Sequence, residues 1–191
     1  MNKEFFMFTI TKSFDFEYAH RVYSQNVDSE LACEKAENTC RHIHGHSGKL
    51  TVTLGSPLLD QRGFVVDYKE MGFIKAIVKE CLDHKTILSV RDPLWGMLSN
   101  TWNLKIVNNV TTPHIKTARS EDLHLEYFDE FLDGISLVDI IPTSEGLAEL
   151  FFHIIEAKLK AMELPAKIHV EEVSWSETPS STATYREAYR T

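Results

Sequence analysis

The sequence predicts an α+β fold, an antiparallel four-stranded sheet with two helices on one face and a long insertion between the helices. Three observations predict it. Segments around 8–20, 44–54 and 167–175 alternate apolar and polar residues with period two. Segments after Asp67 and after Pro142 repeat apolar residues at helical spacing instead. The order strand, strand, helix, insertion, helix, strand, strand lets neighbouring strands pair antiparallel and lets the helices cover one apolar face.

The first strand runs from Phe8 to His20. Phe8, Ile10, Phe14, Phe16, Tyr18 and His20 share one parity, and Thr9, Thr11, Asp15 and Glu17 the other, so the apolar face ends in a histidine. Residues 21–41 read as a loop. The second strand, about His44 to Leu54, carries His44, His46, Leu50, Val52 and Leu54 on one face. Asp67 is placed to cap a helix whose stripe is Met71, Ile74, Ile77, Val78, Cys81 and Leu82, ending near Leu82-Asp83-His84. Residues 85–141 follow, far longer than the roughly 12–15 residues of an ordinary connection. They show order of their own in Trp95, Leu98, Trp102 and Leu104, and in a helical stretch around Leu123 to Leu132. Pro142-Thr143-Ser144-Glu145 starts the second helix, with stripe Leu147, Leu150, Phe151, Ile154 and Ile155, and Pro165 ends it. The third strand puts Ile168, Val170 and Glu172 on one face, and Thr182 to Glu187 reads as the last strand.

Composition bounds the function. A chain of 191 residues suits a single domain, 1–191, with the insertion at about 85–141. The 43% hydrophobic and 25% charged residues are too apolar for a disordered chain. A net charge of −8 argues against binding nucleic acid or anionic membrane by bulk attraction. Seven acids and no Lys or Arg lie between Glu121 and Asp139, so the acidity is local to the insertion. No apolar run reaches the ~18 residues of a membrane helix, and the N-terminus shows no signal-peptide pattern. Three cysteines, an odd and sparse set, point to a reducing cytoplasm.

The histidines carry the first chemical signal. His44 and His46 at i and i+2 point the same way from a strand, and His20 ends the apolar face of another. Three imidazoles from adjacent strands would hold zinc with one position open, as catalytic sites do. A surface histidine cluster, or core histidines satisfied by hydrogen bonds, fits the same spacing. Cys40, four residues before His44, is either a thiol activated near a cationic centre or a buried inert one. Cys81 lies in a helix stripe and receives no role; a structural Cys33/Cys40/His44/His46 zinc site has unusually wide cysteine spacing. Asp83 and His84 suit a carboxylate-oriented proton shuttle, or a solvated helix end. Glu172, in phase with Ile168 and Val170, would be a buried carboxylate needing a partner. A guanine-like ring offering two parallel N–H groups would satisfy it, as would a salt bridge or a strand twist that turns it to water.

Five short motifs, in this order, resemble the 6-pyruvoyltetrahydropterin synthase / 6-carboxytetrahydropterin synthase family. They are Phe14-Asp-Phe-Glu-Tyr-Ala-His20-Arg21, Cys40-Arg-His-Ile-His44-Gly45-His46, Leu82-Asp83-His84, Pro142-Thr-Ser-Glu145 and Val170-Glu-Glu172, with Gly63-Phe-Val-Val-Asp67-Tyr68 fitting as well. The Cys-x3-His-Gly-His spacing resembles the 6-carboxytetrahydropterin synthases of the queuosine pathway; the pyruvoyl-forming branch resembles Cys-x5-His-Gly-His.

The resemblance implies a tunnelling fold (T-fold) and a homo-oligomer, a trimer or hexamer, with active sites between subunits. It implies Zn2+ held by His20, His44 and His46, a catalytic thiol at Cys40, proton-relay partners at Asp83 and His84, and a pterin-anchoring acid at Glu172. The implied reaction converts 7,8-dihydroneopterin triphosphate and water to 6-carboxy-5,6,7,8-tetrahydropterin, acetaldehyde and triphosphate. Arg21, Arg41 and Lys49 flank the motifs as candidates for the triphosphate, and the acids of the insertion are expected to face away from it. Two other readings remain open: a pyruvoyl-type or side-chain-cleaving pterin enzyme, and a zinc-stabilised binding module in which Cys40 is a ligand.

Overall fold

The structure is a computed structural model that describes residues 7–26, 38–109, 112–120, 126–162, 164 and 167–187. Its strands are β1 (Phe8–His20), β2 (His44–Ser56), β3 (Lys85–Ser89), β4 (Leu104–Asn108), β5 (Ile115–Ser120), β6 (Ile135–Val138), β7 (His169–Thr178) and β8 (Ser181–Tyr185). The helices are α1 (Gly72–Cys81), α2 (Pro93–Trp102), α3 (Glu126–Asp133) and α4 (Ser144–Ala161). All eight strands form one sheet in the order β4-β5-β6-β3-β1-β2-β7-β8.

The four strands expected from alternation are adjacent and antiparallel, β1 to β2, β2 to β7 and β7 to β8. Phe14, Phe16, Tyr18, Leu50, Val52, Leu54, Val173 and Trp175 point from them into a core closed by Ile74, Ile77 and Val78 of α1 and Leu147, Phe151 and Ile155 of α4. Thr143 caps α4 by accepting from the Gly146 N–H. Asp67, expected to cap α1, instead accepts from the Lys69 N–H within a turn, and the helix begins five residues later at Gly72.

Two parts of the expected architecture are corrected. The sheet has eight strands and is mixed, because the insertion extends it. β3 pairs parallel with the end of β1, and β6 pairs parallel with β3. The helices also occupy both faces. Ile87 and Val138 join the core under α1 and α4, whereas their neighbours Leu88 and Leu137 pack with Trp95 of α2 and Leu132 of α3 in a second core. Adjacent strand residues point to opposite faces, so α2 and α3 lie across the sheet from α1 and α4.

Candidate metal centre

His20 and His44 stand directly opposite each other in the β1–β2 register, and His46 opposes Tyr18. The aromatic column of Phe16, Tyr18 and Trp175 supports them, with the Tyr18 ring 5.3 Å from His20 and 5.6 Å from His46. The Trp175 Nε1–H donates to the Tyr18 hydroxyl at 3.0 Å, and burial pushes the Tyr18 pKa well up. Gly48 permits this column. A Cβ there would lie 2.8 Å from the Phe16 and Tyr18 rings.

The three imidazoles converge so that one ring nitrogen of each lies within 4.8 Å of the others. His20 Nδ1 is 2.7 Å from the Pro142 carbonyl, and His44 Nδ1 is 2.8 Å from the His42 carbonyl. A carbonyl only accepts, so both Nδ1 atoms carry the proton and both Nε2 atoms present lone pairs. Those Nε2 atoms face each other at 3.2 Å. His46 Nε2 is buried and has no hydrogen-bond partner among the described residues. Lone pairs aimed together, with the His20 and His44 rings each fixed through the other nitrogen, suit a bound cation.

Burial is the main reason the His20 pKa is lowered, against the raising influence of the Pro142 carbonyl and Glu177. Burial likewise lowers the His46 pKa, with Glu177 opposing and His44 adding to the shift. Both rings are thereby held in the neutral form that ligates metal.

Glu172 is not brought to this centre. A bulge in the β2–β7 pairing sets Thr53 opposite Glu172 but Leu54 opposite Val170. The extra residue shifts the phase, so Val173 and Trp175 face the core and Glu172 faces the other way. Its carboxylate pairs with Arg186 at 2.8 Å. The acid that continues the Val173–Trp175 face is Glu177, whose Oε1 lies 3.7 Å from His20 Nε2. Sequence reasoning missed Glu177; its parity with Trp175, the largest apolar side chain of the strand, was the available signal.

Cys40 sits in the 3₁₀ turn Thr39–Arg41 and lines a cavity of about 500 Å³ together with His20 and Glu177. Thr143, Ser144, Glu145 and Thr182 line it as well. Asp83 and His84 form a pair, His84 Nδ1 to Asp83 Oδ1 at 3.0 Å, and His84 and His46 line a separate cleft of about 350 Å³. His84 takes a φ of 60°, strained for a residue with a Cβ, while its N–H donates to the Glu17 carbonyl. No hydrogen bond joins Cys40 to Asp83 or His84 among the described residues.

Of the flanking cations, Arg21 and Arg41 line a cavity of about 390 Å³, while Lys49 pairs with Asp15 at the surface. Asp133 and Asp139 of the insertion pair with Arg119 and Arg91. Cys33 lies outside the described residues, as do Glu121 and Asp122. No described helix is long and apolar enough to cross a membrane.

Fold and site together define an α+β protein with a three-histidine cluster that could hold a metal ion. The profile described as 6-pyruvoyl tetrahydropterin synthase matches residues 9–188, and the chain belongs to that family. It is 30% identical over 183 residues to 6-carboxy-5,6,7,8-tetrahydropterin synthase of Aquifex aeolicus, covering 93% of this chain and 97% of that protein. An enzyme of the same name from Rickettsia bellii is 30% identical over 144 residues, 70% of this chain and 94% of the relative. Among solved structures, an uncharacterised protein of Wolinella succinogenes superposes with a TM-score of 0.80 at 29% identity, covering 96% of this chain and 99% of the other. The 6-pyruvoyltetrahydropterin synthase of Plasmodium vivax shares the fold, with a TM-score of 0.57 at 17% identity and 96% and 99% coverage.

Proposed function

We propose that this chain is a 6-carboxy-5,6,7,8-tetrahydropterin synthase that converts 7,8-dihydroneopterin triphosphate and water to 6-carboxytetrahydropterin, acetaldehyde and triphosphate. One observation carries the reading: three imidazoles converge beside a carboxylate and a thiol-lined cavity. The near full-length similarity to the Aquifex enzyme and the Cys-x3-His-Gly-His spacing favour the carboxy branch over the pyruvoyl branch.

His20, His44 and His46 hold a divalent ion, zinc in this reading, which when bound supplies Lewis acidity toward the oxygens of the substrate side chain. Glu177 takes the ring-anchoring role that the resemblance gave to Glu172. Its carboxylate accepts two parallel N–H bonds from the pterin, turning binding energy into orientation. Cys40, as thiolate, removes the proton from the side-chain carbon next to the ring. His84, held by Asp83, returns protons during carbon–carbon cleavage. Cys40 and His84 line separate cavities, one with His20 and the other with His46, which supports a site completed between copies of the chain in a homo-oligomer.

The test is mass spectrometry of the products formed from 7,8-dihydroneopterin triphosphate. Carboxytetrahydropterin with acetaldehyde is expected. A pyruvoyl product would move the assignment to the other branch. Full zinc occupancy with no turnover would favour a binding module, against which stands the absence of Cys40 from the cluster of potential ligands among the described residues.

A further inference from the structure

We propose that Asp92, a residue of the insertion, and Arg21 form a clamp that positions Cys40 for proton transfer. Both are positioning residues, and the proposal takes from the functional reading only that Cys40 is the reacting thiol. The Asp92 carboxylate is buried, 1% exposed, at the N-terminus of α2. Its Oδ1 accepts from the Leu94 N–H at 2.8 Å and lies 3.3 Å from Arg21 Nη1. Its Oδ2 has no partner among the described residues. A carboxylate so placed is costly unless paired, and Arg21 is the cation beside it.

Arg21 reaches from there to the turn that carries the thiol. Its Nε–H donates to the Arg41 carbonyl at 2.7 Å, one residue past Cys40. The Val22 N–H donates to the Cys40 carbonyl at 2.9 Å, and the Arg41 N–H donates to Gln25 Oε1 at 3.1 Å. The segment after His20 thus holds the peptides around Cys40 on both sides, and Asp92 fixes the first residue of that segment. A planar guanidinium satisfies both acceptors at once, which a lysine ammonium on a flexible stem does not. The insertion contributes no described residue to the lining of the cavity that holds Cys40, His20 and Glu177. The clamp is a route from the insertion to Cys40, beside the pairing of β3 with the end of β1 at His20.

Asp92→Asn in the full chain keeps the cap acceptor and removes the charge. Metal per chain and KM are expected within about twofold of wild type, with kcat down about tenfold or more. In substrate-free protein, the rate of iodoacetamide alkylation at Cys40, followed by peptide mapping, should shift by about threefold or more in either direction as the thiol's surroundings change. Arg21→Lys should reproduce the loss. If Asp92→Asn does not fold, the double variant Asp92→Asn/Arg21→Gln, which removes both charges, carries the same expectation. Unchanged alkylation and kcat in a folded variant, metal loss in parallel with activity, a raised KM with intact kcat, or full activity in Arg21→Lys would each overturn the clamp. Failure of wild type to turn over the pterin triphosphate would sink the functional reading instead, while the alkylation rates would still decide the clamp.

Discussion

Replacing Glu177 and Glu172 separately with Gln discriminates between two acids five residues apart on one strand. Glu177 shares the core face with Trp175 and lies 3.7 Å from His20 Nε2. As an anchor it accepts two charge-assisted bonds from a pterin, each worth about 1.5–3 kcal/mol. Gln keeps the volume and one acceptor but turns an amide donor toward a ring donor. The expected loss is about 2–4 kcal/mol, roughly 30- to 1,000-fold in the dissociation constant. Glu172 instead pairs with Arg186, with side-chain exposures of 28% and 67%. A screened surface pair of that kind contributes about 0–1 kcal/mol, so Glu172→Gln should change binding less than about fivefold. Calorimetric titration of zinc-loaded protein with a non-reactive pterin measures both, and metal analysis confirms that zinc stays bound. Weakened binding in Glu172→Gln beside wild-type binding in Glu177→Gln would refute the phase shift assigned to the bulge.

Four further outcomes are expected. His44→Ala should fold but bind zinc at least about tenfold more weakly in a chelator competition, because two imidazoles remain of three. Mixing Cys40→Ser with His84→Ala subunits should restore part of the activity lost by each alone if sites form between copies, as read from turnover after joint refolding. In zinc-free protein the folded His20 and His46 have lowered pKa values. Below the ordinary imidazole value of about 6.5 the unfolded chain binds more protons, so stability is fully present above that pH and falls as pH drops toward the folded values. Denaturant midpoints in chelator should show it, with a smaller fall in His46→Gln. Trp175→Phe removes the donor to the buried Tyr18 hydroxyl and should cost about 1–3 kcal/mol by urea unfolding.

The histidine centre was legible because β1 and β2 alternate without interruption through thirteen paired positions, so parity carried His20, His44 and His46 to one side. Glu177 was not, since a bulge leaves no mark in composition and Ile168 set the phase on its wrong side. The insertion resisted for a different reason. β6 is buried at all four positions and β3 at its last three, so both faces are covered and alternation vanishes. Strands this short, paired in parallel across intervening helices, give no period to read. The reversal of α2 and α3 to the far face follows from Leu88 and Leu137, whose neighbours Ile87 and Val138 are equally apolar.

His20 and His44 face each other at the loop end of the β1–β2 ribbon, and the 23 residues between them include Cys40. An ion gripping both rings would act as a cross-link at the base of that excursion, removing chain entropy from the unfolded ensemble as a disulfide closing the same span does. Metal uptake and the tethering of the segment that carries Cys40 would then be one event, and a chelator would loosen the ribbon's end before the aromatic column beneath it melts.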